Sequence, residues 1–475
     1  MQTFSTLPLY AKSLDWDALF RDYPPPDVFE QTVFRWEPGR IRALQEARFL
    51  RVVEAGWRNP FYRRRWTEAG LQPGDIRSLD DIIKLPAYNS EDIKTDQAEY
   101  PPFGSMQGLT PEAMRAQPHK VQSSGGTTGK PRLNLLGAKE WALLGLTSAR
   151  GAWLQGARPG DVMQIPVTCS LATLGWGFYT GCHDYLGILP LTTGTGVVTP
   201  SRRQLDLAAD LGTNIWVSFP EYLTHLPKVC RDELGRDIRE LNTKFLSSFL
   251  GPDSGGTLRR SLEDSWGCPV FDQYGTNEVG EGATECQARD GLHLMEDTAF
   301  FEFLDTDTGV PVLPGETGNM VVTLLYREAS PIIRYNLRDL GRLLSEAPCA
   351  CGGTFRRMDH FLGRSDDMVK IRGVNVYPMA CLQAVKSDVR TSGEWICVVG
   401  RQEVAGSSRD NLSMRVETLA GVGQPEDLRN HLERRLREDL GLKVTVELLG
   451  EGELAPLTNV GREGKARRLL DLRQR

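Results

Sequence analysis

The sequence predicts an α/β protein: a large N-terminal domain of βαβ subdomains with a small β subdomain, then a separate small α+β C-terminal domain. Three stretches predict it. From about 120 to 290, short apolar runs alternate with helical segments, and such alternation builds βαβ units around a largely parallel sheet. Between roughly 298 and 345 come FFEFLD, NMVVTLLY and GRLLS, separated by TDTGVPVLPGETG, which reads as hairpins. Further on, Leu428, Leu432, Leu436 and Leu440 recur at four-residue spacing before Gly441, and KVTVELL then alternates Val444, Val446 and Leu448. That is an amphipathic helix with a glycine stop, followed by a half-buried strand.

Taken in order, the first hundred residues are helical and turn-rich. YPPPDVFE is a proline-rich entry, Arg40 to Glu54 suits an amphipathic helix, and NPFYRRRW begins another. Arg63–Arg65 reads as a solvated helix face, with an anion site as the alternative. In the alternating region VMQIPVT, YLGILPL, NIWVSF and PVFDQYG are strand pieces, while QLDLAADLG and GGTLRRSLEDSWG are helices followed by glycine.

Composition narrows the function. The chain has 475 residues, with 56 basic and 62 acidic side chains for a net charge of -6. That balance excludes a general nucleic-acid coat, which needs a basic excess. No apolar run reaches the ~20 residues of a membrane helix. The opening MQTFSTLPLYAKSLDW has no basic segment followed by an apolar one, so no secretory signal is visible. Nine cysteines, odd in number and scattered, point to a reducing cytoplasm and make clustered cysteines metal candidates.

The sharpest segment is SSGGTTGKPR, Ser123 to Arg132. Its glycines and hydroxyls can wrap phosphate oxygens with N–H and O–H donors; a flexible linker is the alternative from these residues alone. It is not a Walker A loop, because Ser124 and Pro131 stand where that loop needs glycine and Ser or Thr. GTGVVT at 194–199 lacks the third glycine of a dinucleotide fingerprint.

A second constellation is Cys286, His293, Cys349 and Cys351. Three thiols and one imidazole suit tetrahedral zinc in a structural role, with unligated buried thiols as the alternative. Four protein ligands leave no open position for catalysis.

Downstream of the phosphate loop stand FDQYGTNEVGEG (271–282), SPIIRYNLRDLGRL (330–343), GRSDDMVKIRGVNVYP (363–378) and NVGREGKARRLLD (459–471). In this order the motifs resemble the adenylate-forming superfamily of acyl- and aryl-CoA ligases, and more narrowly the phenylacetate–CoA ligase family. NPFYRRRW, SLDDIIKLP, GLHLMED and CACGG extend the resemblance nearly end to end. Some relatives carry cysteines at places matching the candidate zinc ligands.

The resemblance implies a two-domain ligase, 1–363 binding AMP and 366–475 a mobile lid, that uses ATP, Mg²⁺ and coenzyme A. Ser124, Gly126, Thr127, Thr128, Gly129 and Lys130 would hold the β- and γ-phosphates. Tyr274 would stack on adenine, helped by backbone near Gly251, Pro252 and Asp253, and Gly275 and Thr276 would belong to the same cofactor site. Glu278 would hold Mg²⁺, Asp339 would bind the ribose hydroxyls, and Arg364 would lie close by. Asp366 matches the hinge, and Lys465 matches the lysine that bridges carboxylate and α-phosphate. Such a lysine supplies positive charge where negative charge gathers.

Two positions depart from the family pattern. Asn277 stands where Ser or Thr is usual, and its amide can donate to a phosphate oxygen. Arg132 after the loop proline can add a phosphate contact or face water. In the family's pocket-lining regions Trp176, Phe178, Tyr179, His183 and Tyr222 would enclose a flat aromatic acid, with ordinary core packing as the alternative. The expected reaction forms an acyl-adenylate and pyrophosphate, then passes the acyl group to the CoA thiol. A carrier-protein thiol or an amine as acceptor, or a non-catalytic nucleotide binder, are the competing readings. The partners are then small molecules, not nucleic acid or membrane, and a homodimer is left open.

Overall fold

A computed structural model describes residues 7, 9–124, 132–253, 256–327, 330–344, 347–365, 369–371, 374–376, 378–404, 407–458 and 467–473. By internal contacts the chain forms two compact units, Met1–Leu250 with Leu258–Phe361, and Gly251–Thr257 with Leu362–Arg475. The architecture is α/β, a large unit of βαβ and antiparallel pieces followed by a small α+β unit, as the sequence predicts.

In the large unit, the helix Pro38–Arg58 starts on its proline, which needs no N–H partner there. It buries Ile41, Phe49, Val52 and Val53 along one face. The next helix, Pro60–Glu68, is capped by the Asn59 side chain accepting from the Phe61 N–H. Its arginines are not simply solvated. Arg64 pairs with Asp96 at 2.8 Å and Arg65 with Asp92 at 3.0 Å, both on the helix Ser90–Glu99, so they tie two helices together.

Strands β1 (Lys120–Ser124) and β2 (Arg132–Leu136) pair antiparallel, with Ser124 opposite Arg132. The main sheet follows with β3 (Val162–Gln164), β4 (Leu189–Leu191), β5 (Ile215–Val217), β6 (Phe245–Ser248), β7 (Val270–Thr276), β8 (Gly280–Glu285) and β9 (Leu292–Leu294). In space β4, β3, β5, β6 and β7 lie side by side and parallel. β5 and β6 are buried throughout, the pattern of a parallel strand covered on both faces. From β7 the sheet turns antiparallel through β8 and β9. The predicted YLGILPL strand shrinks to β4, because Gly181–Leu186 makes a π-type turn ending on left-handed Gly187.

A second sheet contains β10 (Ala299–Leu304), β11 (Thr317–Leu324) and β12 (Tyr335–Arg342), paired antiparallel in that order. Most of GRLLS lies beyond β12, which instead covers YNLRDLGR. The short β13 (Arg357–Met358) pairs with β9.

The small unit holds β14 (Gly363–Arg364), β15 (Val369–Ile371) and β16 (Val374–Val376). Its centre is a long hairpin, β17 (Thr391–Val404) with β18 (Ser407–Thr418). On the outer edges β19 (Thr445–Leu449) runs parallel to β18, and β20 (Leu469–Asp471) parallel to β17. The predicted leucine helix is Glu426–Leu440, stopped by Gly441 at φ +68°. Leu428, Leu432 and Leu436 are fully buried, each contributing about 1.5–3 kcal/mol. Among the described residues no helix is long and apolar enough to cross a membrane.

Candidate active site

The site is built on the β7–β8 hairpin. Thr276 pairs with Gly280, so Asn277, Glu278 and Val279 form a tight tip. A Cβ on Gly275 would stand 2.4 Å from the Gly280 carbonyl oxygen, so only glycine lets the two arms approach this closely. The Val279 N–H donates to the Thr276 hydroxyl at 3.2 Å and closes the turn.

Each tip side chain has a long-range partner. The Glu278 carboxylate pairs with Arg132 at 3.1 Å, and Arg132 also donates to the Tyr335 hydroxyl at 2.6 Å. Arg132 therefore engages the candidate Mg²⁺ carboxylate. Buried Arg327 reaches the Glu278 carbonyl at 3.4 Å and also bonds Asn134, Leu135 and Ser330, tying the tip to β2. The Asn277 side-chain oxygen accepts from the Thr173 N–H at 2.8 Å and from the Thr173 hydroxyl. With that oxygen engaged, the amide offers its NH₂ to a ligand. Asn277, Glu278, Arg132, Asn134, Tyr88 and Tyr335 line one small cavity.

Further along β7, the buried Tyr274 hydroxyl donates to Asp339 Oδ2 at 2.6 Å. Asp339 sits at a bulge: Asn319 pairs with Leu340 and Val321 with Asn336, leaving Leu337, Arg338 and Asp339 opposite Met320 alone. Arg338 adopts φ +58°, rare without glycine, and such strain gathers at functional sites. The Phe361 ring lies 6.2 Å from that of Tyr274 and nearly parallel.

Thus Tyr274, Gly275, Thr276, Asn277, Glu278 and Asp339 occupy one hairpin and the adjoining bulge of the large unit. Gly251, Pro252, Asp253 and Arg364 belong to the small unit, where Asp253 is buried and accepts from Gln383 at 3.1 Å. Gly126, Thr127, Thr128, Gly129, Lys130, Asp366 and Lys465 lie outside the described residues, and Ser124 is described by its backbone alone.

The pocket candidates do not share one surface. Trp176, Tyr179 and His183 form a ladder on one face of Leu174–Leu186, with ring spacings of 6.2 and 5.6 Å. Trp141 extends it and Lys120 lies over both tryptophans. His183 is exposed and pairs with Asp184. Phe178 points into the core, and Tyr222, on the helix Pro220–Leu234, bonds Ser201 at 3.0 Å.

Behind the hairpin, Glu281 is buried against the helix Ala138–Gln155, where a Cβ on Gly151 would collide with its carboxyl. Burial holds this carboxyl well above the usual carboxylate range. Sequence reasoning missed Glu281, Thr173 and Arg327; nothing local marks them, since each acquires meaning from a partner distant in sequence.

The four candidate zinc ligands converge, their ligand atoms all within 4.8 Å of one another. Cys286 and Cys349 sulfurs are 3.6 Å apart, and Cys351 Sγ is 3.4 Å from His293 Nε2. Zn–S bonds of about 2.3 Å and Zn–N of about 2.0 Å in a tetrahedron give edges of ~3.7 and ~3.5 Å. His293 Nδ1 faces the Phe355 carbonyl at 3.3 Å, which reserves Nε2 for a metal. Burial opposes charge on His293, yet hydrogen bonds with Cys349 and Cys351 prevail and push its pKa up to about 9. Hydrogen bonding from Cys286, then from His293, pushes Cys351 down to about 3, favouring the thiolate that zinc requires. The donor set and spacing fit zinc.

Comparison with known proteins sets these residues in context. A model of the AMP-binding enzyme C-terminal domain matches residues 373–473. The chain is 32% identical to a phenylacetate-coenzyme A ligase of Thermus thermophilus, spanning 92% of this chain and 97% of that one. It is 30% identical to the Escherichia coli phenylacetate-coenzyme A ligase, over 91% and 95% of the two chains. A crystal structure of 2-hydroxyisobutyryl-CoA ligase, in the postadenylation state with R3-HIB-AMP, superposes with a TM-score of 0.78. Its identity is 26%, covering 96% of this chain and 92% of that one.

Proposed function

The chain belongs to the phenylacetate–coenzyme A ligase family, and on that premise we propose that its site activates an aromatic carboxylic acid. It is an AMP-forming acid–CoA ligase: ATP converts the acid to an acyl-adenylate with loss of pyrophosphate, and the CoA thiol then displaces AMP.

The observation that carries the assignment of roles is the β7–β8 hairpin, which presents Asn277 and Glu278 beside the Tyr274–Asp339 pair. Tyr274 stacks on adenine, and its hydroxyl fixes the Asp339 carboxylate for the ribose hydroxyls. The Asn277 NH₂, oriented by Thr173, donates to an α-phosphate oxygen. Glu278 is a hard oxygen donor suited to Mg²⁺, and Arg132 holds one of its oxygens. Bound there, Mg²⁺ would neutralise phosphate charge. Lys465 supplies positive charge where the carboxylate attacks phosphorus. The acid lies near the start of the helix Leu174–Thr180, which Thr173 joins to the hairpin tip.

We further propose that Cys286, His293, Cys349 and Cys351 hold one structural zinc, in a cytoplasm reducing enough to keep the thiolates available. The small unit acts as a lid that turns about Asp366 between half-reactions. Assay of acyl-CoA formation across aryl, arylacetic and fatty acids tests the substrate class. An aromatic subset should be favoured at least about tenfold in kcat/KM, a difference of ~1.4 kcal/mol. Preference for aliphatic acids would overturn it.

A further inference from the structure

The two units are joined at three points along the chain: Leu250 to Gly251, Thr257 to Leu258, and Phe361 to Leu362. On the large unit's side all three lead to two linked buried carboxylates, Asp272 on β7 and Glu285 on β8. Asp272 Oδ1 accepts from the Leu250 N–H at 2.9 Å, and Oδ2 pairs with His360 Nδ1 at 2.7 Å, one residue before Phe361. The Asp272 N–H donates to Glu285 Oε2 at 2.8 Å. Glu285 takes both arms of the Arg259 guanidinium, at 3.0 and 2.8 Å, one residue after Leu258. The Gln273 N–H also donates to Asp272 Oδ1 at 2.9 Å. Asp272 and Glu285 side chains are only 2% and 1% exposed, so these bonds lie where solvent screening is weak and unpaired charge is costly.

We propose that Asp272, with His360, Glu285 and Arg259, is the fixed end of the link between the two units, and that His360 is a positioning residue for the transfer step. This rests on the reading that the small unit turns between half-reactions. A turning body needs a stationary attachment, and one carboxylate network here secures the large-unit end of every crossing. The same network places Phe361 beside Tyr274, so it sets one wall near the nucleotide as well. His360 makes the anchor titratable. It faces Asp272 from β7, Glu285 from β8 and Arg259 from the helix Thr257–Trp266. Neighbouring Asp359 accepts the His360 N–H and is itself paired with Arg342. Burial opposes its charge, but the Asp272 hydrogen bond prevails and raises its pKa above the ordinary 6.5. The ion pair is therefore complete below that range and is lost as pH rises through the raised value.

Hydrogen exchange of the segment 357–362 in the full-length protein tests the anchor directly. After correction for intrinsic base catalysis, exchange should quicken on the order of tenfold between about pH 6 and about pH 9. His360→Arg, whose charge persists, should remove that acceleration, and His360→Ala should exchange rapidly at both values. A pH-dependent acceleration that survives in His360→Arg would overturn the anchor, as would unchanged exchange in His360→Ala. For the positioning role, His360→Ala should slow acyl transfer to CoA by roughly tenfold more than it slows acid-dependent pyrophosphate exchange. Equal slowing of both would overturn that role. Wild-type protein inactive in both assays would instead fail the functional reading, while the exchange data would still decide the anchor.

Discussion

Asn277 stands where the resemblance leads one to expect a hydroxyl, and in the proposed site Thr173 orients its amide. A serine or threonine donates through a rotatable O–H, whereas an amide must be held the right way round. Thr173 does this, donating to Oδ1 from both its N–H and its hydroxyl. A net hydrogen bond is worth about 0.5–1.5 kcal/mol, so Thr173→Val should slow adenylation roughly 2- to 13-fold, while Thr173→Ser restores it. Steady-state pyrophosphate release checks this. Equal rates in wild type and Thr173→Val would show that Asn277 needs no such guide. Asn277 and Glu278 were legible in the sequence because the motif around them is contiguous. Thr173 was not, for it lies 104 residues from its partner and its role exists only after folding.

At the scale of elements, legibility followed the strength of the local pattern. The helix Glu426–Leu440 was readable from its leucine spacing and glycine stop. The β17–β18 hairpin went unread although Leu412, Met414 and Val416 alternate and are buried, because the stretch RQEVAGSSRDN before them is mostly polar. YLGILPL misled because its first residues complete a π-type turn. The cysteine–histidine cluster was legible as residue types, though its convergence across 66 residues depended on β9 and β13 pairing. That cluster also fastens the N-terminal segment. Arg35 donates to the Cys351 carbonyl at 3.1 Å, and the Thr354 N–H to the Phe34 carbonyl at 2.9 Å. Protein purified without chelator should contain about one zinc per chain. Cys351→Ser should lose it and melt roughly 10 °C lower, since a structural zinc carries several kcal/mol. Metal analysis finding none in the wild type would reduce the cluster to ordinary buried thiols.

For the whole molecule, the division of labour follows from where the groups lie. The hairpin tip, the Tyr274–Asp339 pair and the Asp272 anchor all belong to the large unit. Lys465, matched to the lysine that bridges carboxylate and α-phosphate, lies outside the described residues. In the proposed reaction the hairpin tip and the Tyr274–Asp339 pair hold the nucleotide while the small unit turns as a lid. The acid itself was the least legible feature: Trp176, Tyr179 and His183 share a helix face while Phe178 is core, and a periodic aromatic pattern does not distinguish a pocket from a packed helix. The central claim is that this site makes an acyl-adenylate, and acid-dependent exchange of labelled pyrophosphate into ATP without CoA tests it most directly. Rapid exchange with an aromatic acid in the wild type, abolished in Lys465→Ala, is the predicted result. Wild-type protein that forms acyl-CoA but shows no exchange with the same acid would contradict it.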